Sequence, residues 1–113
     1  MPHCVIEHFG ALASDERQTE AMELALAVCS ESGIMNHEDI KVRAVPVAAI
    51  LFGDGRTSFL HLTLSMLTGR TAAQKLPLAE KLRDGFRQRF PAVQSISVDI
   101  RDMDPDCYKK SLV

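Results

Sequence analysis

Pro2 is the residue of this chain whose type and place allow the least ordinary chemistry. It follows Met1 and heads the weakly alternating segment His3-Cys4-Val5-Ile6, so loss of Met1 would leave a prolyl secondary amine at the start of a strand. A secondary amine held in a folded site can take up and return a proton. With Met1 in place the same nitrogen is an amide and cannot. A free α-amino group titrates at about 7.7–8.0 and a prolyl amine somewhat higher, so a site using it near neutral pH must lower that value. Partial burial and nearby guanidinium groups both act in that direction.

The other candidates have plainer readings beside the chemical one. Arg43, in an alternating segment, reads by itself as a surface ion-pair partner, and Arg70, beside Gly69 at a helix entrance, as a solvated side chain. His3 and His61 read as packing or hydrogen-bonding groups, and Cys4 as a small buried residue of a strand. Glu7 and Tyr108 are candidate neighbours of the Pro2 site, as are His3 and Phe52.

Several classes drop out on composition. The four histidines lack paired spacing and predict no metal site. Cys4, Cys29 and Cys107 are odd in number and far apart, which argues against a disulfide framework or a CxxC site. Reduced thiols and a cytoplasmic location are the expectation. The longest apolar run, residues 45–52, is broken by Pro46 and is too short to span a bilayer. No basic segment followed by an apolar one opens the chain, so no secretory signal is expected. The net charge of −2, with scattered basic residues, predicts no nucleic-acid partner. Apolar residues make up 46%, enough for the core of one domain over residues 1–113.

The elements that must hold Pro2 and the arginines follow from periodicity. Residues 3–8 read as a strand. Ser14 and Asp15 can cap a helix whose apolar stripe is Ala21, Leu24, Ala25, Val28 and Cys29, with Gly33 as its stop. Residues 40–51 read as a second strand that bends or runs along an edge at Pro46. Gly53-Asp54-Gly55 is a turn. Residues 59–66 form the clearest strand, with Leu60, Leu62, Leu64 and Met66 on one face. Thr71 and Gln74 have capping-box spacing for a second helix, whose stripe is Ala79, Leu82, Phe86 and Phe90. Pro77 inside it predicts a kink or a later start. A fourth strand covers residues 95–101, with Ile96, Val98 and Ile100 inward, and the tail 102–113 has no clear period.

Two βαβ units, residues 2–52 and 57–101, predict an α+β fold: a four-stranded mixed sheet with both helices on one face. The opposite face, with Lys41, Arg43, Phe59, His61, Thr63, Ser65, Ser97 and Asp99, reads equally as solvated sheet or as a wet interface between subunits.

At Pro2, Arg43 and Gly69-Arg70 together, the chain resembles 5-carboxymethyl-2-hydroxymuconate isomerase, of the tautomerase superfamily. The other resembling stretches are Gly33-Ile34, Ile40-Lys41-Val42, Leu60 to Leu64 and Pro105 to Lys109, in the family's order. The resemblance implies a homotrimer with the open sheet faces buried about a central axis. It implies that Pro2, freed of Met1, shuttles a proton in isomerising an unsaturated 2-hydroxy or 2-oxo dicarboxylate of aromatic-acid breakdown. Arg43 and Arg70 would bind and polarise the carboxylates, without a cofactor or metal. Two alternatives stand beside it: a hydratase or dehalogenase using the same proline, and a non-catalytic binding module on this fold.

Overall fold

Period-two burial marks the two central strands of the sheet. In β1 (His3–Phe9) the side chains of Cys4, Ile6 and His8 turn inward, and in β3 (Phe59–Leu67) those of Leu60, Leu62, Leu64 and Met66 do the same. The pair is antiparallel, with Cys4 opposite Leu64, Ile6 opposite Leu62 and His8 opposite Leu60, so one register places every inward residue on the same face. β2 (Lys41–Pro46) adds parallel to the outer side of β1, and β4 (Ser95–Met103) adds parallel to β3. The order is therefore β2-β1-β3-β4, as a computed structural model of residues 1–113 describes it. No helix is long and apolar enough to cross a membrane.

Each parallel pair needs a crossover, and a helix supplies it. α1 (Asp15–Glu31) starts where Ser14 accepts a hydrogen bond from the Arg17 N–H at 3.2 Å, with Asp15 and Glu16 in the first turn. It stops ahead of Gly33, whose φ of +76° reverses the chain. α2 (Ala72–Arg89) opens on a reciprocal capping box: Thr71 Oγ1 accepts from the Gln74 N–H, and Gln74 Oε1 accepts from the Thr71 N–H. Ala21, Ala25 and Cys29 of α1 and Leu78, Leu82 and Phe86 of α2 join the inward residues of the sheet in one core. Both helices thus cover one face. Removing the fully buried Phe86 ring would cost about 3–5 kcal/mol.

Burial also explains the three cysteines. Cys4 and Cys29 lie in the core and Cys107 is exposed; all are free thiols. Burial pushes the Cys4 thiol far above its ordinary range and Cys29 up to about 11, so both behave as small apolar residues.

Four expectations need correction. The second strand ends at Pro46 and does not reach Leu51: proline offers no N–H to the ladder, and residues 47–51 leave the sheet. That strand does lie at an edge. The α2 stripe begins at Leu78, with Ala79 only half-buried. The helix does not start late. It begins at Ala72, ahead of Pro77, and the carbonyl left without its helical donor belongs to exposed Ala73, where water can serve it. Finally, β4 continues two residues past Arg101 to Met103.

Candidate active site

Because β1 and β2 run parallel and in register from His3 and Lys41, the turn that precedes β2 lies beside the start of the chain. The Pro2 carbonyl accepts from the Lys41 N–H at 3.1 Å, which carries the ladder to the first buried residue. Two connections close around it: residues 32–40 between α1 and β2, and residues 68–71 between β3 and α2.

Arg70 ties these connections together. Its Nε and Nη2 donate to the Ile34 carbonyl at 3.1 and 2.8 Å, and Nη1 donates to the Leu67 carbonyl at 3.1 Å. Of the five N–H groups of a guanidinium, three are used in this way, and one remains on each terminal nitrogen. The charge is not cancelled by any carboxylate partner, since both acceptors are neutral carbonyls.

A cavity of about 290 Å³ opens at this place, lined by Met1, Pro2, Gly33, Ile34, Met35, Asn36, Asp39 and Arg70. The α-amino group of Met1, which ends the chain there, is held below its ordinary value, first by burial and then by the positive charges of Lys110, Arg70 and Lys41, with Asp39 opposing. This environment disfavours an ammonium group, as a base working near neutral pH requires.

Arg43 lies elsewhere. It projects from the open face of β2, where its Nη1 donates to His3 Nδ1 at 3.1 Å. A guanidinium only donates, so Nδ1 accepts and the His3 proton sits on Nε2, which donates to the Tyr108 hydroxyl oxygen at 3.0 Å. Burial, then Arg43, Lys41 and the chain terminus, hold the His3 pKa below its usual value, in keeping with a neutral ring. The relay ties the C-terminal tail, through Tyr108, to the first residue of β1.

Glu7 is exposed on the open face between Val45 and His61. Phe52 packs between Phe9 and Phe59 at ring distances of 6.4 and 6.1 Å, at the far end of β1. That strand separates it from Pro2 by roughly 20 Å, at about 3.3 Å per residue. One chain therefore joins Pro2 to Arg70, joins His3 to Arg43 and Tyr108, and holds Phe52 and Glu7 apart from both groups. Asn36 and Asp39 were not singled out from the sequence. Their only signal was position, just ahead of a strand that had to pair parallel with residues 2–8. A second cavity, of about 310 Å³, lies at the other end of β1 and is lined by His8 to Ala13, Pro46 and Val47, with no cation among them.

No curated protein matches the sequence. Solved structures do match its fold. A 5-carboxymethyl-2-hydroxymuconate isomerase from Deinococcus radiodurans superposes with a TM-score of 0.78 at 21% identity, covering 97% of this chain and 88% of that one. N1, a member of the cis-3-chloroacrylic acid dehalogenase family, gives 0.76 at 18% identity over 96% and 79% of the two chains. A fused 4-OT wild-type symmetric trimer gives 0.81 at 12% identity over 96% and 91%. At these identities the likeness is one of fold. The sequence profile of 5-carboxymethyl-2-hydroxymuconate isomerase, in contrast, matches residues 2–111. The chain belongs to the 5-carboxymethyl-2-hydroxymuconate isomerase family, a family of isomerases.

Proposed function

We propose that the protein isomerises an unsaturated 2-hydroxy or 2-oxo dicarboxylate, with the amine of Pro2 as proton carrier and Arg70 as carboxylate anchor. The observation that carries this reading is the shared cavity: Pro2 and Arg70 line one space of about 290 Å³, in a chain of an isomerase family. With Met1 removed, the prolyl nitrogen faces that space as a free secondary amine. It takes a proton from the 2-hydroxyl group or an adjacent carbon, becoming an ammonium. The conjugated system shifts, and the ammonium returns the proton to the carbon at the other end. Proton and electron pair balance within the substrate, and the step calls for no cofactor.

Arg70 contributes by position and charge. Its two unused N–H groups are donors for a carboxylate, and a charge-assisted hydrogen bond contributes about 1.5–3 kcal/mol. An anchored carboxylate also holds the reacting carbons over the amine. Arg43 serves as the second anchor, and it reaches a cavity only from another copy of the chain, because on its own chain it points from the open sheet face. A homotrimer burying these faces meets that need. The half-buried Val5, Phe9 and Phe59 on the open face and the fully exposed Leu51 beside it support such an assembly.

The test is an ultraviolet assay with 5-carboxymethyl-2-hydroxymuconate, on protein whose intact mass establishes that Met1 is gone. Conversion to an isomer of unchanged mass is expected, with Pro2→Ala losing at least about a hundredfold in kcat/KM, the lower range for general acid–base catalysis. Unimpaired turnover by Pro2→Ala would remove the amine from the mechanism. A product heavier by one water would replace isomerisation by hydration.

A further inference from the structure

We propose that Asp39 is the counter-charge of the Pro2 amine, a positioning residue that steadies the protonated amine and so sets the pH at which the proton is released. The inference rests on the reading of Pro2 as the proton carrier and adds a residue to that site.

The geometry comes from the turn before β2. Residues 37–39 form a short 3-10 turn in which the Asp39 N–H donates to the Asn36 carbonyl at 3.0 Å. Two residues later the Lys41 N–H donates to the Pro2 carbonyl. The turn is thus fastened to the start of the chain, and Asp39 lines the same cavity as Pro2 and Arg70. Its side chain is half-buried, and its carboxylate is engaged by no hydrogen bond or ion pair. A carboxylate left free in a cavity that bears an arginine is not explained by packing, nor does it help to bind an anionic substrate.

Charge supplies the reason. In this structure Met1 carries the terminal amine one residue ahead of the Pro2 nitrogen, and removal of Met1 moves that amine one residue along, into the cavity that Pro2, Arg70 and Asp39 line. The groups that bear on the Met1 amine are Lys110 from the tail, Arg70 from the β3–α2 connection, Lys41 from β2 and Asp39 from the turn. Three are cations, and His3, the next residue along β1, is a neutral ring turned to the open face. A shuttle must load its proton as well as discharge it. Among cations alone the amine would discharge readily and reload poorly. Asp39 is the only anion of the set, and it favours the loaded form.

The test uses protein without Met1, carrying nitrogen-15 in its prolines, and follows the Pro2 amine through a pH titration by NMR. Asp39→Asn, which keeps shape and removes charge, should move the titration midpoint to lower pH, and Asp39→Glu should bring it back towards wild type. The acid limb of kcat/KM should move with it. Asp39→Ser is a second charge-removing variant that suits a turn. A folded Asn or Ser variant whose midpoint equals that of wild type overturns the proposal, whatever its activity. Failure of the catalytic reading is separable: Pro2→Ala that still turns over substrate removes Pro2 from the mechanism and leaves the titration result as it stands.

Discussion

His8 shows what this fold does to a single titratable side chain. It lies inward on β1, only 4% exposed, and its Nε2 has no hydrogen-bond partner. Burial holds its pKa below the ordinary value of 6.5, with Gln18 opposing, so the folded chain keeps the ring neutral where an unfolded chain would protonate it. Well above pH 6.5 both states are neutral and the residue is indifferent to pH. As the pH falls below that value the unfolded state binds the proton first, and stability declines until the folded pKa is reached. Wild-type protein should therefore lose urea resistance between about pH 7 and 5. His3 is depressed in the same direction and contributes part of the slope. His8→Leu, which fills the site without titrating, should flatten the profile. An identical slope in the two proteins would show that the acid sensitivity arises elsewhere.

At the scale of elements, the connection from β1 to α1 turns on Gly10. Its φ is +65°, and a Cβ built there would stand 2.7 Å from the Thr57 carbonyl oxygen, a backbone atom that cannot swing aside. Gly55, with φ of +80°, has open space around it. Alanine at either position bears the left-handed penalty of about 1–2 kcal/mol. Only Gly10→Ala adds a clash, so its loss of stability in denaturant melts should clearly exceed that of Gly55→Ala. Equal losses would mean that the 57–58 segment yields freely. Such contrasts explain what was legible in the sequence. β3 and both helices were, because alternation and a 3.6-residue stripe are written in neighbouring residues. The end of β2 was not, since residues 47–51 stay apolar after Pro46 has ended the pairing. Leu78 and Ala79 are both apolar, and only the packing of α2 chooses between them. The Pro2–Arg70 pair was legible as two separate residues. That they share a cavity with Asp39, while Arg43 does not, follows from strand register and from loops meeting across 36 residues of sequence, where Arg70 reaches Ile34.

At the scale of the molecule, the question is whether Arg43 acts with the Pro2 of another copy. Within one chain it donates to His3 on the open face and takes no part in lining the cavity. In a cyclic trimer each site can draw Pro2 from one copy and Arg43 from the next, whereas a self-sufficient chain would draw both from itself. Mixed assemblies separate these cases. Pro2→Ala and Arg43→Ala chains should each be nearly inactive alone, with a native mass of three times the 12.5 kDa chain. Co-expressed in equal amounts, they assort at random. Every mixed trimer then contains one site in which an intact Pro2 meets an intact Arg43, and about a quarter of wild-type activity should return. If both residues act from the same chain, every site carries one lesion and nothing returns. A null result in trimers whose native mass spectrum displays mixing would therefore assign Arg43 to its own open face, where its bond to His3 holds the tail in place.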